Sequence, residues 1–230
     1  MTEPTMHPAL FRAWYPVARS MDLDRPRLAT LLGEELVVYR TAGGTAAVAS
    51  NRCPHRGAGL YLGEVAGEGI ACPYHGWQFA ADGGQCTLVP SLNAGEKIPP
   101  GAVISTYPAV EQWDLVFTCI GDPFTGPPDP PELHEDEWDF GPGDPIPIRV
   151  GVSAMTENYR DVSHFPFVHQ ATIGPTPEVV EPLDVRREGT EVFLDWTFRP
   201  TASPSAGSRI HCSRGERPIP VPGTTGISGE

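Results

Sequence analysis

Cys53-Pro-His55 and Cys72-Pro-Tyr-His75, separated by sixteen residues, constrain this chain more than any other feature. Each short segment supplies one thiolate and one imidazole. Two sulfur and two nitrogen donors suit a [2Fe–2S] centre in which two His replace two Cys on one iron. They also suit a tetrahedral zinc ion. Zinc sites with these donors usually group Cys with Cys and His with His. Here each segment carries one of each, and Pro and Gly recur at repeated offsets in Cys-Pro-His-Arg-Gly and Cys-Pro-Tyr-His-Gly-Trp. The mixed grouping favours the iron–sulfur reading, and with it a one-electron redox role.

These segments resemble the Rieske family. Its high-potential respiratory members carry two further Cys in the same loops, joined as a disulfide. Ala58 and Tyr74 stand at those positions here. The resemblance therefore points to the lower-potential branch, Rieske ferredoxins and Rieske non-heme iron oxygenases, with Cys53, His55, Cys72 and His75 as cluster ligands.

The chain has 230 residues, enough for one large or two small domains, and 40% are hydrophobic, so a packed core is feasible. No apolar run is long enough for a membrane helix, and residues 1–7 lack a signal-peptide core. Two ligand Cys leave Cys86, Cys119 and Cys212, an odd remainder without framework spacing. A cytoplasmic protein is expected. Sixteen basic against 29 acidic residues leave a net charge of −13, which disfavours nucleic acid or an anionic membrane as partner.

Abundant Pro (27) and Gly (25) favour short strands and many turns. Leu36–Arg40 and Ala46–Ser50 flank Gly43-Gly44 and read as a hairpin. Strand-like runs recur at Gly69–Cys72, Trp77–Ala80, Cys86–Val89, Val103–Tyr107 and Leu115–Ile120. The fold class is α+β, mainly β. An antiparallel β Rieske domain over 14–121 carries the ligand loops at hairpin tips. A Pro- and acid-rich linker follows over 122–147. Ile146–Ala154 reads as a strand entering a second unit, 148–199, and Val179–Arg187 with Glu191–Arg199 reads as a second hairpin.

The second unit contains Asp161-Val-Ser-His164-Phe-Pro-Phe-Val-His169. Its spacing resembles the mononuclear iron motif of Rieske non-heme iron oxygenases. By that resemblance His164 and His169 are Fe(II) ligands, joined by a distant carboxylate in a facial triad, and Asp161 is the acid that bridges to a neighbouring subunit's Rieske His. On an ideal helix residues five apart lie about 140° apart, so the two His need a distortion, and Pro166 between them breaks a helical hydrogen bond. Phe165, Phe167 and Val168 read as core packing.

Only 61 residues follow His169, and no acid among them has the context of the third ligand. Residues 200–230 hold five Pro, five Gly, five Ser and no aromatic residue, which suggests a disordered tail. The chain reads as a C-terminally truncated oxygenase subunit: an incomplete helix-plus-antiparallel-sheet catalytic domain, a break near Arg199–Pro200, then out-of-frame or unrelated sequence.

The resemblance implies an enzyme, the oxygenase component that passes electrons from a reductase or ferredoxin donor through [2Fe–2S] to mononuclear Fe(II). It would use O₂ to hydroxylate or demethylate a small organic, aromatic or cyclic, substrate, its activity open to loss by truncation, within a homo-oligomer that is a trimer in the family. The alternative is a Rieske ferredoxin-like electron carrier without oxygenase activity. A redox-sensing binding protein is a third reading.

Overall fold

The structure, a computed structural model, describes residues 6–129, 131–134, 141–170, 176–180, 182–188, 191–198 and 208–211. Chain contacts divide it into two compact units, Met1–Asp129 with Asp136–Gly143, and Pro130–Glu135 with Asp144–Glu230.

The strands of the first unit are, in chain order, β1 (Tyr15–Arg19), β2 (Arg27–Leu31), β3 (Glu34–Arg40), β4 (Ala46–Ser50), β5 (Glu64–Ala66), β6 (Gly69–Ala71), β7 (Gln78–Ala80), β8 (Cys86–Leu88), β9 (Thr106–Tyr107), β10 (Ala109–Gln112) and β11 (Leu115–Thr118). They form three antiparallel sheets, β2-β3-β4-β9, β5-β6-β7-β8 and β1-β11-β10. The hairpin anticipated around Gly43-Gly44 is β3–β4, with Val38 opposite Val48. Two other hairpins turn on residues that carry no double-glycine signal: Leu32-Gly33, and Trp113-Asp114, where both non-glycine residues take φ of 56°. The expected strand over Val103–Tyr107 shrinks to Thr106–Tyr107, because Val103 makes a single bridge to Gln85.

Strand β3 explains the core. Leu36, Val37, Val38 and Tyr39 are all fully buried. Side chains alternate across a strand, so Val37 and Tyr39 enter one cluster while Leu36 and Val38 enter another. The first cluster also holds Ile70, Phe79, Cys53 and Cys72. The second holds Val48 and Val116. A strand covered on both faces reads as a continuous apolar run, as this one does. The cluster-side core is therefore built from β3, β4, β6 and β7 and ends at the two cysteines.

In the second unit, α1 (Val152–Arg160) leads into a one-turn helix, α2 (Phe165–Val168). An antiparallel sheet follows, β12 (Asp184–Glu188), β13 (Glu191–Phe198) and β14 (Ser208–His211), in the order β12-β13-β14. The strand expected over Ile146–Ala154 is not formed. Residues 141–150 are irregular, and α1 starts at Val152. The alternation Ile146, Ile148, Val150, Val152 imitates a strand, but Pro145 and Pro147 have no N–H to give a ladder. The expected disordered tail falls mostly outside the described residues. Within it, Ser208–His211 pairs with β13, Ile210 opposite Trp196.

Arg40 on β3 grips Glu111 on β10 through two hydrogen bonds of 2.8 and 2.6 Å. That fork holds the Glu111 carboxyl below the usual carboxylate range, against the raising effect of partial burial. A depressed carboxyl stabilises the fold above its unfolded pKa, about 4.3, and loses that contribution as pH falls through the folded value. Glu111→Gln should cost about 0.5–1 kcal/mol at pH 7. In denaturant titrations the gap from wild type should close below about pH 4; a gap independent of pH would contradict the assignment.

Candidate metal centres

The two Cys-containing loops are closed by the same pair of backbone bonds. In loop 1 the Cys53 N–H donates to Ala58 O (2.9 Å) and the Gly57 N–H donates to Cys53 O (2.8 Å). In loop 2 the Cys72 N–H donates to Trp77 O (2.8 Å) and the Gly76 N–H donates to Cys72 O (3.0 Å). Gly57 and Gly76 take φ of 73° and 69°, left-handed conformations that glycine reaches without strain. Each glycine lies four residues after its cysteine, which is why the repeated offsets were visible in the sequence. The histidines differ by one place, two residues after Cys53 and three after Cys72.

This closure puts like with like. Cys53 and Cys72 are buried, and the Cys72 sulfur lies close enough to act on the ionisation of Cys53. His55 and His75 are exposed at the loop tips, ring centroids 4.6 Å apart and tilted by 58°. Burial pushes the Cys53 thiol up to about 11, and the Cys72 sulfur pushes the same way, while the backbone N–H groups of His55 and Arg56 pull it down. A buried thiol raised in this way gives up its proton most readily to a compensating cation, which a metal supplies. Partial desolvation, His75 and Arg56 hold His55 below the usual imidazole range, keeping it neutral and able to ligate. Among the described residues no group of three or more His, Cys, Asp or Glu side chains is placed to hold a metal ion. Two sulfurs on one side and two imidazoles on the other suit a binuclear group.

No disulfide braces these loops; Cys53, Cys72, Cys86 and Cys119 are free thiols. A buried amide serves loop 1 instead. Asn51, 2% exposed, accepts from the Tyr61 N–H at 2.9 Å through Oδ1 and donates to Glu35 Oε2 at 3.2 Å. Its backbone N–H donates to Glu35 O and its carbonyl accepts from the Leu60 N–H at 2.7 Å. The amide thus fastens both ends of loop 1 to β3, a role that its position in the sequence does not announce.

The second constellation has a different local cause from the one expected. Helix α1 stops at Asp161, three residues before the first histidine. His164 and His169 then cap the two ends of α2, and Pro166 lies in its first turn. Pro is well tolerated there, since its missing N–H has no helical partner. Pro166 therefore starts a helix and does not kink one. The outcome is convergence: the His164 and His169 rings lie 5.1 Å apart, tilted by 59°. His164 Nδ1 and Nε2 are both buried without a hydrogen-bond partner, and Nδ1 lies 3.5 Å from Asp161 Oδ2. Ser163 gives Asp161 Oδ1 both its N–H, at 2.8 Å, and its hydroxyl. Those bonds, and His164 less strongly, hold the Asp161 carboxyl below the usual range. Phe165 meets both imidazoles edge-on. Phe167 and Val168, read as core, are 69% and 67% exposed, because α2 is one turn long and buries only one side. Among the described residues no carboxylate joins the two His in a metal-holding group. An orphaned buried Nε2 beside a second imidazole fits a metal ion.

Residues 13–108 match the family model of the Rieske [2Fe-2S] domain, and residues 148–221 match that of the vanillate O-demethylase oxygenase C-terminal domain. The chain carries a Rieske domain followed by an oxygenase C-terminal domain. The second match places this Rieske-family chain with the oxygenases, and it extends through residue 221, against the expectation of unrelated sequence from 200 onward. Cholesterol 7-desaturase of Xenopus laevis is 34% identical over 80% of the chain and 40% of the relative. A putative toluene-4-sulfonate monooxygenase system iron–sulfur subunit of Comamonas testosteroni is 35% identical over 70% of the chain and 46% of the relative. The solved structure of Pseudomonas putida CBB5 NdmA superposes with a TM-score of 0.74 at 26% identity, over 84% of the chain and 62% of that protein. The chain thus spans less than half of both curated relatives.

Asn51→Ala should cost about 1–3 kcal/mol, since it orphans the partly buried Tyr61 N–H and removes the link to Glu35. Thermal unfolding measures the cost, and faster amide exchange at Tyr61 and Leu60 locates it. Exchange unchanged at both amides would remove Asn51 as the brace.

Proposed function

We propose that this chain is the oxygenase component of a Rieske non-heme iron system, with Cys53, His55, Cys72 and His75 holding a [2Fe–2S] cluster and His164 and His169 holding mononuclear Fe(II). The observation that carries the proposal is the sorting of donors at the loop tips, buried sulfur beside buried sulfur and exposed imidazole beside exposed imidazole. When bound, these groups supply one-electron transfer and dioxygen activation.

The chain's own residues prepare both places. Cys53 and Cys72 anchor the inner side, where the backbone N–H groups of His55 and Arg56 offset negative charge on sulfur. His55 and His75 lie at the surface, where an electron donor, a reductase or a ferredoxin, reaches them. In the second unit Asp161 Oδ2 lies 3.5 Å from His164 Nδ1 and orients the ring, while Nε2 is the atom offered to the metal. Ser163 saturates the other Asp161 oxygen, so the carboxylate keeps one direction. Asp161 of one protomer also serves as the acid that meets a Rieske His of another, which makes the working form a homo-oligomer. Among the described residues no helix is long and apolar enough to cross a membrane, and a cytoplasmic place of action accords with that. Toluene-4-sulfonate and cholesterol, in the names of two relatives, share a carbon ring; the proposed substrate is a cyclic organic molecule.

Anaerobically purified chain should contain acid-labile sulfide and about three irons. His164→Ala should lower iron by about one per chain and leave sulfide unchanged. His55→Cys should shift the visible spectrum towards the all-thiolate type. Zinc without sulfide would overturn the proposal. Two irons per chain, unaltered by His164→Ala, would leave an electron carrier.

A further inference from the structure

Both imidazoles at the cluster tip are faced by an aromatic ring, and the two rings are held differently. The Trp77 indole lies on His55 with centroids 4.6 Å apart and an interplanar angle of 3°. The Tyr74 ring lies on His75 at 3.9 Å and 29°. Tyr74 belongs to the same loop as the histidine it covers and is 60% exposed. Trp77 belongs to loop 2, and the histidine it covers belongs to loop 1. Its backbone is fixed, because its carbonyl accepts the Cys72 N–H that closes loop 2. Its side chain is fixed as well: the indole packs against the cluster-side core of Val37, Tyr39, Ile70 and Phe79.

We propose that Trp77 is a positioning residue, an aromatic clamp that couples the two ligand loops by holding the His55 ring plane against the hydrophobic core. The inference rests on the proposed cluster site and adds a role for a residue that donates nothing to the metal. Backbone closure fixes the His55 Cα, yet the ring still turns about two side-chain torsions. A parallel ring anchored in the core removes most of that freedom and keeps water from one imidazole face. The bracing that a disulfide between positions 58 and 74 would give is thereby supplied across the loops by a stack. Tyr74 has no core anchor, so His75 is the freer imidazole.

The test uses the full chain with its cluster, as wild type, Trp77→Phe, Trp77→Met and Tyr74→Met. Three quantities are read: midpoint potential, histidine-nitrogen couplings in pulsed EPR of the reduced form, and the rate of cluster bleaching by a chelator. Trp77→Met keeps apolar bulk and removes the ring. It should shift the potential and one nitrogen coupling, and speed bleaching about two- to tenfold, the factor an aromatic pair sets. Trp77→Phe should behave like wild type, and Tyr74→Met should speed bleaching less than Trp77→Met. A second measurement needs no variant to fold: in metal-free wild type the His55 ring protons should show an upfield ring-current shift from the indole. Absence of that shift overturns the clamp. So does a Trp77→Met protein with unchanged potential, couplings and bleaching, or a Trp77→Phe protein as perturbed as Trp77→Met. Wild type that takes up no sulfide-containing cluster would instead overturn the functional reading on which the clamp rests.

Discussion

Two thiols closed into an apolar core are the constraint on which the first unit turns. A buried thiolate is unfavourable until a cation compensates it, and Cys53 is pushed well above an ordinary thiol by burial and by Cys72. The surroundings are arranged to hold that pair in place. Strand β3 is covered on both faces, so a one-residue slip of the sheet carrying loop 1 would exchange Val37 and Tyr39 for Leu36 and Val38 between two differently shaped clusters. The β6–β7 hairpin carries Cys72 up against the same core. Backbone bonds at equal offsets then close both loops, and the sulfurs meet inside while the imidazoles meet outside.

The second unit follows another logic. There the donors come from one short stretch, and the question is how residues five apart can converge. The chain answers by ending one helix at Asp161 and starting another at Phe165, so that the two histidines become caps of a single turn. Asp161 lies in the gap between the helices, where Ser163 can orient it. Acid, hydroxyl and imidazole thus form one chain of contacts leading to an unpartnered nitrogen. The two units share a principle: a turn fixes the backbone of a candidate donor, and a neighbouring side chain lies against its ring.

Much of this was legible beforehand, for identifiable reasons. The β3–β4 hairpin was visible because Gly43-Gly44 separates two β-rich runs, and the ligand loops because glycine is required where φ is positive. The false strand over Ile146–Ala154 arose because alternating apolar residues satisfy a period of two even where Pro145 and Pro147 forbid a ladder. Pro166 looks like a break in a running helix, since a sequence does not reveal whether a proline is interior or at a first turn. Phe167 and Val168 look like core, but burial depends on what packs against α2.

By itself the sequence determined the candidate donors and their turns: Cys53, His55, Cys72, His75, His164 and His169, with the glycines and prolines that bend the chain around them. These are local matters, decided by spacing and by allowed backbone angles. Tertiary structure alone decided which atoms face one another. Sulfur lies against sulfur, the Trp77 indole lies on an imidazole of the other loop, and Asn51 reaches back to Glu35, because packing on the two faces of β3 joins segments far apart in the chain. Distance in sequence carries no information about that contact, and only burial of a shared core creates it.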